Sequence, residues 1–137
     1  MPADSRTIYF KNSIGCIWEE PQAYLRLDYY PGLREEGQFR SMLTHLRQAM
    51  QRHSWSRVLI NQQQMNPFTP AEESWMNNEW LPRAVQENGY RYGAVLVAHD
   101  VFARLAMNSV LATSRRLGHL YRNFEGETDA VNWLLGQ

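Results

Sequence analysis

The side chains in this 137-residue chain with chemistry to offer are few and scattered: His45, His53, His99 and His119, the single Cys16, and the serines Ser74 and Ser109. A zinc site draws on His and Cys ligands set a few residues apart, and no two of these histidines stand at such a spacing, so no metal site is expected. Cys16 alternates with Ile14 and Trp18 along a predicted strand, which reads as a small buried apolar group rather than a thiolate nucleophile. Ser74 and Ser109 fall on predicted helices with no base or oxyanion donor beside them. No Walker A loop, dinucleotide fingerprint, zincin motif or Cys-x-x-Cys pair is present, so neither a cofactor nor an enzymatic activity is expected.

What remains is recognition by hydrogen bonding. Open α/β sheets bind ligands beyond the carboxyl ends of their parallel strands. Three such ends are legible: Asn61-Gln62, His99-Asp100 and Asn123-Phe124. Asn61, Gln62, His99, Asp100 and Asn123 are therefore the candidate contacts to a small molecule or lipid, with His99 foremost. The plainer alternative is that His99 and Asp100 only end a strand and cap a helix, while Asn61 and Gln62 tie down a loop.

The elements that would position these residues follow from periodicity. Residues 7–11, 14–19 and 23–30 read as three strands joined by short turns, an antiparallel meander. In the third, Ala23, Leu25, Leu27 and Tyr29 alternate inward against Tyr24, Arg26, Asp28 and Tyr30 outward. A helix over 35–53 carries Phe39, Met42, Leu43, Leu46 and Met50 on one stripe. A short strand follows at 57–61. Thr69-Pro70-Ala71-Glu72 is a capping-box start for a helix running to 88, with a kink expected at Pro82 and a stop at Asn88-Gly89. The stretch from Tyr90 to His99 holds an uncharged run, Gly93 to Ala98, that suits a strand buried on both faces. A helix over 101–117, a strand over 119–124 and a helix over 125–135 complete the chain. Arg115-Arg116 lies near a helix C-terminus, where positive charge favours the helix dipole. The order β-β-β-α-β-α-β-α-β-α predicts a mixed α/β sheet whose later strands are parallel with right-handed crossovers.

Length and composition agree with one domain over 1–137, with residues 1–5 loose. The formal net charge of zero argues against a nucleic-acid partner. No apolar run approaches the roughly 20 residues that span a bilayer, and Met-Pro-Ala-Asp-Ser-Arg-Thr lacks a signal peptide's apolar core. With one cysteine and no internal disulfide, a cytoplasmic setting is expected. Thirteen of the fourteen basic residues are arginine, which suits carboxylate or phosphate recognition and equally reflects a compositional bias.

Pro67-Phe68-Thr69-Pro70, then Trp80-Leu81-Pro82, then Gly93 to Phe102, resemble a group of uncharacterised bacterial proteins of the STAS/SEC14-like superfamily, to which the anti-sigma-factor antagonist domains belong. The resemblance covers nearly the whole chain and implies a STAS/SEC14-like fold and a non-enzymatic interaction or regulatory module, acting as a homodimer or with an unknown protein partner. STAS antagonists carry a phosphorylatable serine where this chain places Thr69, without the Asp-Ser or Ser-Gly pair of that motif; Thr69 is the corresponding phosphorylation candidate and also a helix cap. The helix after Thr69 carries Trp75, Met76 and Trp80 on more than one face. They are either all core or, on the face turned from the sheet, an interface.

Overall fold

The protein is described by a computed structural model that covers residues 5–137. The looseness expected of residues 1–5 falls, for the first four, outside the described residues; Ser5 is exposed and irregular. Six strands form one mixed sheet in sequential order: β1 (Thr7–Lys11), β2 (Gly15–Glu20), β3 (Tyr24–Tyr29), β4 (Arg57–Asn61), β5 (Tyr92–Leu96) and β6 (Leu120–Phe124). The first three pair antiparallel and β3 to β6 pair parallel, as the element order predicts. Crossovers of one hand between strands that are neighbours both in sequence and in space put every connecting helix on the same face. That layer holds α1 (Glu36–His53), α2 (Pro70–Trp75) with α3 (Leu81–Asn88), and α4 (Val101–Ala106) with α5 (Asn108–Arg116). The main core lies beneath it, with Leu27, Ile60 and Val95 of the sheet against Phe39, Leu46, Trp80 and Val110 of the helices. The last helix, α6 (Glu127–Leu135), follows the edge strand and folds back over the other face, burying Tyr24, Leu59, Ala94 and Leu96 under Ala130 and Leu134.

Four local details depart from the sequence expectations, each for an identifiable reason. In β2 it is Ile17, not Cys16 and Trp18, that joins Ile14 in the main core. The Asn12 carboxamide accepts the Ile14 N–H at 2.9 Å, and the turn it closes offsets the strand by one residue, which exchanges its faces. Cys16 is nonetheless buried, beside Asp28 on the opposite face. Tyr24, expected outward, is buried because α6 covers that face, and Ala23 is a turn residue at φ 69°. The kink at Pro82 takes the form of a π-helical turn, Met76–Trp80, between α2 and α3. Pro82 has no N–H and its ring crowds the carbonyl four residues back, and the wider turn, in which the Leu81 N–H bonds the Met76 carbonyl, accommodates both. Finally, the helix expected over 101–117 is broken at Met107, whose N–H bonds back to Arg104 and ends α4.

Two close approaches fix the layers. Arg34 packs against both Phe39 and Phe68 and makes a bidentate pair with Glu72, Nε–Oε2 2.9 Å and Nη2–Oε1 2.7 Å, while also donating to the Asn66 and Pro67 carbonyls. Gly93 lets β5 pass beneath two tyrosines; a Cβ there would run into the Tyr121 ring and lie 2.7 Å from the Tyr90 hydroxyl. Among the described residues, no helix is long and apolar enough to cross a membrane.

Candidate functional site

The carboxyl ends of β4, β5 and β6 meet the helix layer where α4 gives way to α5. Alternation along β4 decides what each of its last side chains can do. Asn61 sits opposite Asp28 and faces away from the helices, where its amide donates to the Asp28 carboxylate at 2.9 Å. Its oxygen accepts the Gln63 N–H at 3.1 Å, so Asn61 ties down the loop. Gln62, one residue on, turns toward the helices and is only 2 % exposed. Its backbone N–H continues the ladder to Leu96, and its side-chain amide donates to the Met107 sulfur at 3.5 Å. Asn123 pairs with Val95 in register and shares its face, so it projects under the α4–α5 junction.

Around these two amides lies a cleft of about 260 Å³, just under the roughly 300 Å³ at which small-molecule pockets begin. Gln62 and Asn123 line it together with Asn108, Leu105, Arg104 and Glu125. Arg104 donates through Nε to the Ala98 carbonyl at 2.5 Å and lies 3.7 Å from Glu125, so the charged groups at this mouth face each other. Deeper in the core is a hollow of about 20 Å³, lined by Tyr29, Met76, Trp80 and Tyr121 and again by Gln62 and Met107. Burial pushes both phenols above their ordinary value, which keeps them protonated as hydrogen-bond donors.

Three other sequence candidates lie elsewhere. β5 ends at Leu96, so His99 is three residues past the strand; it is exposed, its N–H bonds the Gln63 carbonyl, and its side chain lines neither hollow. Asp100 is the N-cap of α4, accepting the Phe102 N–H at 2.8 Å. Thr69 is exposed, but its hydroxyl oxygen accepts the Glu72 N–H at 3.1 Å and its own N–H bonds the Glu72 carboxylate at 2.9 Å, a complete capping box.

The interface expected on the second helix is corrected for two of its three residues. Met76 and Trp80 are each 5 % exposed, and the Trp80 indole donates to the Leu43 carbonyl at 2.6 Å. One turn apart, both lie on the face that packs into the main core. Trp75 is half-buried, edge-on to Phe39 with the Arg40 guanidinium 5.2 Å above its ring. The exposed apolar side chains are instead Val101, Phe102 and Leu105 of α4 (58, 69 and 58 %) and Leu33 (99 %), with Ile8 and Leu120 on the two edge strands.

Two polar clusters stand outside the sequence candidates. Asp28 accepts from the Trp18 indole (2.9 Å), Arg26 (3.0 Å) and Asn61 (2.9 Å), with Arg26 also reaching Glu127 at 3.1 Å. These donors tie the Asp28 carboxylate into that face of the sheet. Glu19 takes a hydrogen bond from the Thr7 hydroxyl at 2.7 Å and pairs with His53 at 2.5 Å, and these partners hold its carboxyl below its ordinary value against partial burial. His53 stacks on Trp55 and links the end of α1 to β2, lining neither the cleft nor the hollow. Among the described residues no group of three or more His, Cys, Asp or Glu side chains stands close enough to hold a metal ion.

No family model, no curated protein and no solved structure significantly matches this chain. The functional reading rests on the geometry.

Proposed function

We propose that the chain is a non-enzymatic, STAS/SEC14-like binding module that takes a small molecule at the carboxyl edge of its parallel strands. The observation that supports this best is the cleft of about 260 Å³ into which Gln62 and Asn123 project, at the sheet edge where open α/β folds recognise ligands. Three side-chain amides, those of Gln62, Asn108 and Asn123, supply both donors and acceptors there, and the only charged groups, Arg104 and Glu125, oppose each other. Such a set orients a ligand and offers no nucleophile to attack it. The resemblance to bacterial STAS/SEC14-like proteins accords with a regulatory module.

A thermal-shift screen against a panel of uncharged and charged small molecules tests the reading. Ligands of the cleft raise the melting temperature of the wild type and lose that effect in Asn123→Leu, an exposed position where the change leaves the fold intact. Stabilisation that persists unchanged in Asn123→Leu would place the ligand elsewhere.

A second reading, a protein-interaction module that forms homodimers, is favoured by the exposed Val101, Phe102 and Leu105 on α4. Phe102→Asp would then lower self-association in sedimentation without lowering stability; identical sedimentation of the two proteins would remove this reading.

A further inference from the structure

The cleft and the hollow behind it share two wall residues, Gln62 and Met107, and the Gln62 amide donates to the Met107 sulfur at 3.5 Å. We propose that cleft and hollow are two halves of one site for a small uncharged amphiphile, whose polar head rests among the cleft amides and whose slender apolar end displaces the Gln62–Met107 contact to enter the core. This deepens the small-molecule reading above and rests on it.

The partition is built to yield. An amide donating to a thioether is a weak hydrogen bond, and methionine is unbranched with three rotatable bonds. Met107 also sits where one helix ends and the next begins. The helix before it, α4, has six residues, of which Ala103 is the only one fully buried, and it is held by the Asp100 cap and the Arg104 bond to Ala98. Little packing resists a small outward shift of the junction.

The chemistry of the walls selects the ligand. No charged side chain lines the hollow, whose polar groups are the two protonated phenols, the Gln62 amide and the Trp80 indole, the last already donating to Leu43. A charge carried inside would stand without a counter-ion, at prohibitive desolvation cost. At the mouth, Arg104 and Glu125 oppose each other, leaving the amides to bond an alcohol, phenol or carboxamide head. The hollow's volume of about 20 Å³ exceeds that of one water-sized probe, enough for the tip of a chain and no ring.

A series of 1-alkanols from ethanol to hexanol, titrated into protein carrying ¹³C-methyl methionine, tests the proposal. Met76 lines the hollow alone and Met107 lines both spaces, so their methyl signals report each half separately. The expected result is saturable shifts at both methyls, with affinity rising about fourfold per added methylene until the space is filled. Val110→Ile, which adds a methylene to the hollow's wall, should abolish the Met76 response and flatten the series while leaving the Asn123 amide response in place. Shifts confined to Met107 and the Asn108 and Asn123 amides, with affinity independent of chain length, would overturn the two-part site and leave a small-molecule cleft standing. No response at either methyl across the series would overturn the amphiphile as well, and the thermal-shift panel then decides the broader reading alone.

Discussion

His119 makes the stability of this fold depend on pH in a way that can be worked out from its surroundings. The side chain is 3 % exposed and lies just before β6. Its Nδ1 is 2.7 Å from the Ser114 hydroxyl, which also donates to the His119 carbonyl at 2.9 Å, while Nε2 is buried without a partner. The rings of Tyr90 and Tyr121 pack on it at 4.1 and 4.4 Å, and nothing anionic faces it among these contacts. Burial therefore pushes the imidazole down to about 3 from its ordinary 6.5. Between those two values the unfolded chain binds a proton that the folded one refuses, so stability falls as pH falls. From pH 7 to pH 5 the linkage amounts to about 2 kcal/mol, and by pH 4 to about 3 kcal/mol. Urea unfolding followed by tryptophan fluorescence at pH 7, 6 and 5 reads this directly, about 2 kcal/mol being worth roughly 1 M in midpoint. The carboxylates contribute their own slope, so the comparison is with His119→Gln and His119→Phe, whichever is folded at pH 7. The wild type should lose about 2 kcal/mol more than the variant over that range. Parallel pH profiles, agreeing within a few tenths of a kcal/mol, would refute the reasoning.

Three further outcomes follow from the packing. Arg34→Met leaves the Glu72 carboxylate buried without its counter-ion and should cost about 3–5 kcal/mol of unfolding free energy, measured in urea at neutral pH. Gly93→Ala drives a methyl into the Tyr121 ring and should cost about 1–3 kcal/mol; combining it with Tyr121→Leu should recover part of that loss, a coupling that a double-mutant cycle detects. Thr69→Ala removes the hydroxyl half of the capping box and should destabilise the protein by about 1 kcal/mol, with the helical signal in circular dichroism otherwise intact.

Much of the architecture was legible because strand and helix patterns are local. The run from Gly93 to Ala98 announces a strand buried on both faces, and β5 does lie under helices on one face and α6 on the other. Thr69 and Glu72 declare a helix start that the structure reproduces atom for atom. The rule that ligands gather at strand ends selected Gln62 and Asn123, which line the cleft. It also selected Asn61 and His99, which do not, because alternation sends Asn61 to the other face and β5 stops short of His99. What the sequence hides is set by tertiary contacts. No glycine or proline marks the break at Met107, so Asn108 reads as mid-helix and never as a cleft residue. The phase of β2 depends on a turn closed by the Ile14 N–H donating to the Asn12 side chain. Met76 and Trp80, one turn apart, share a face at helical spacing, but the spacing leaves open which face of that helix packs inward.

Native mass spectrometry of the protein purified from its own host, beside Asn123→Leu, tests the central claim most directly. The account predicts a wild-type chain carrying the extra mass of a small molecule that vanishes on denaturation and is missing from Asn123→Leu. A bare wild-type chain at its denatured mass, or a bound mass retained in full by Asn123→Leu, would contradict it.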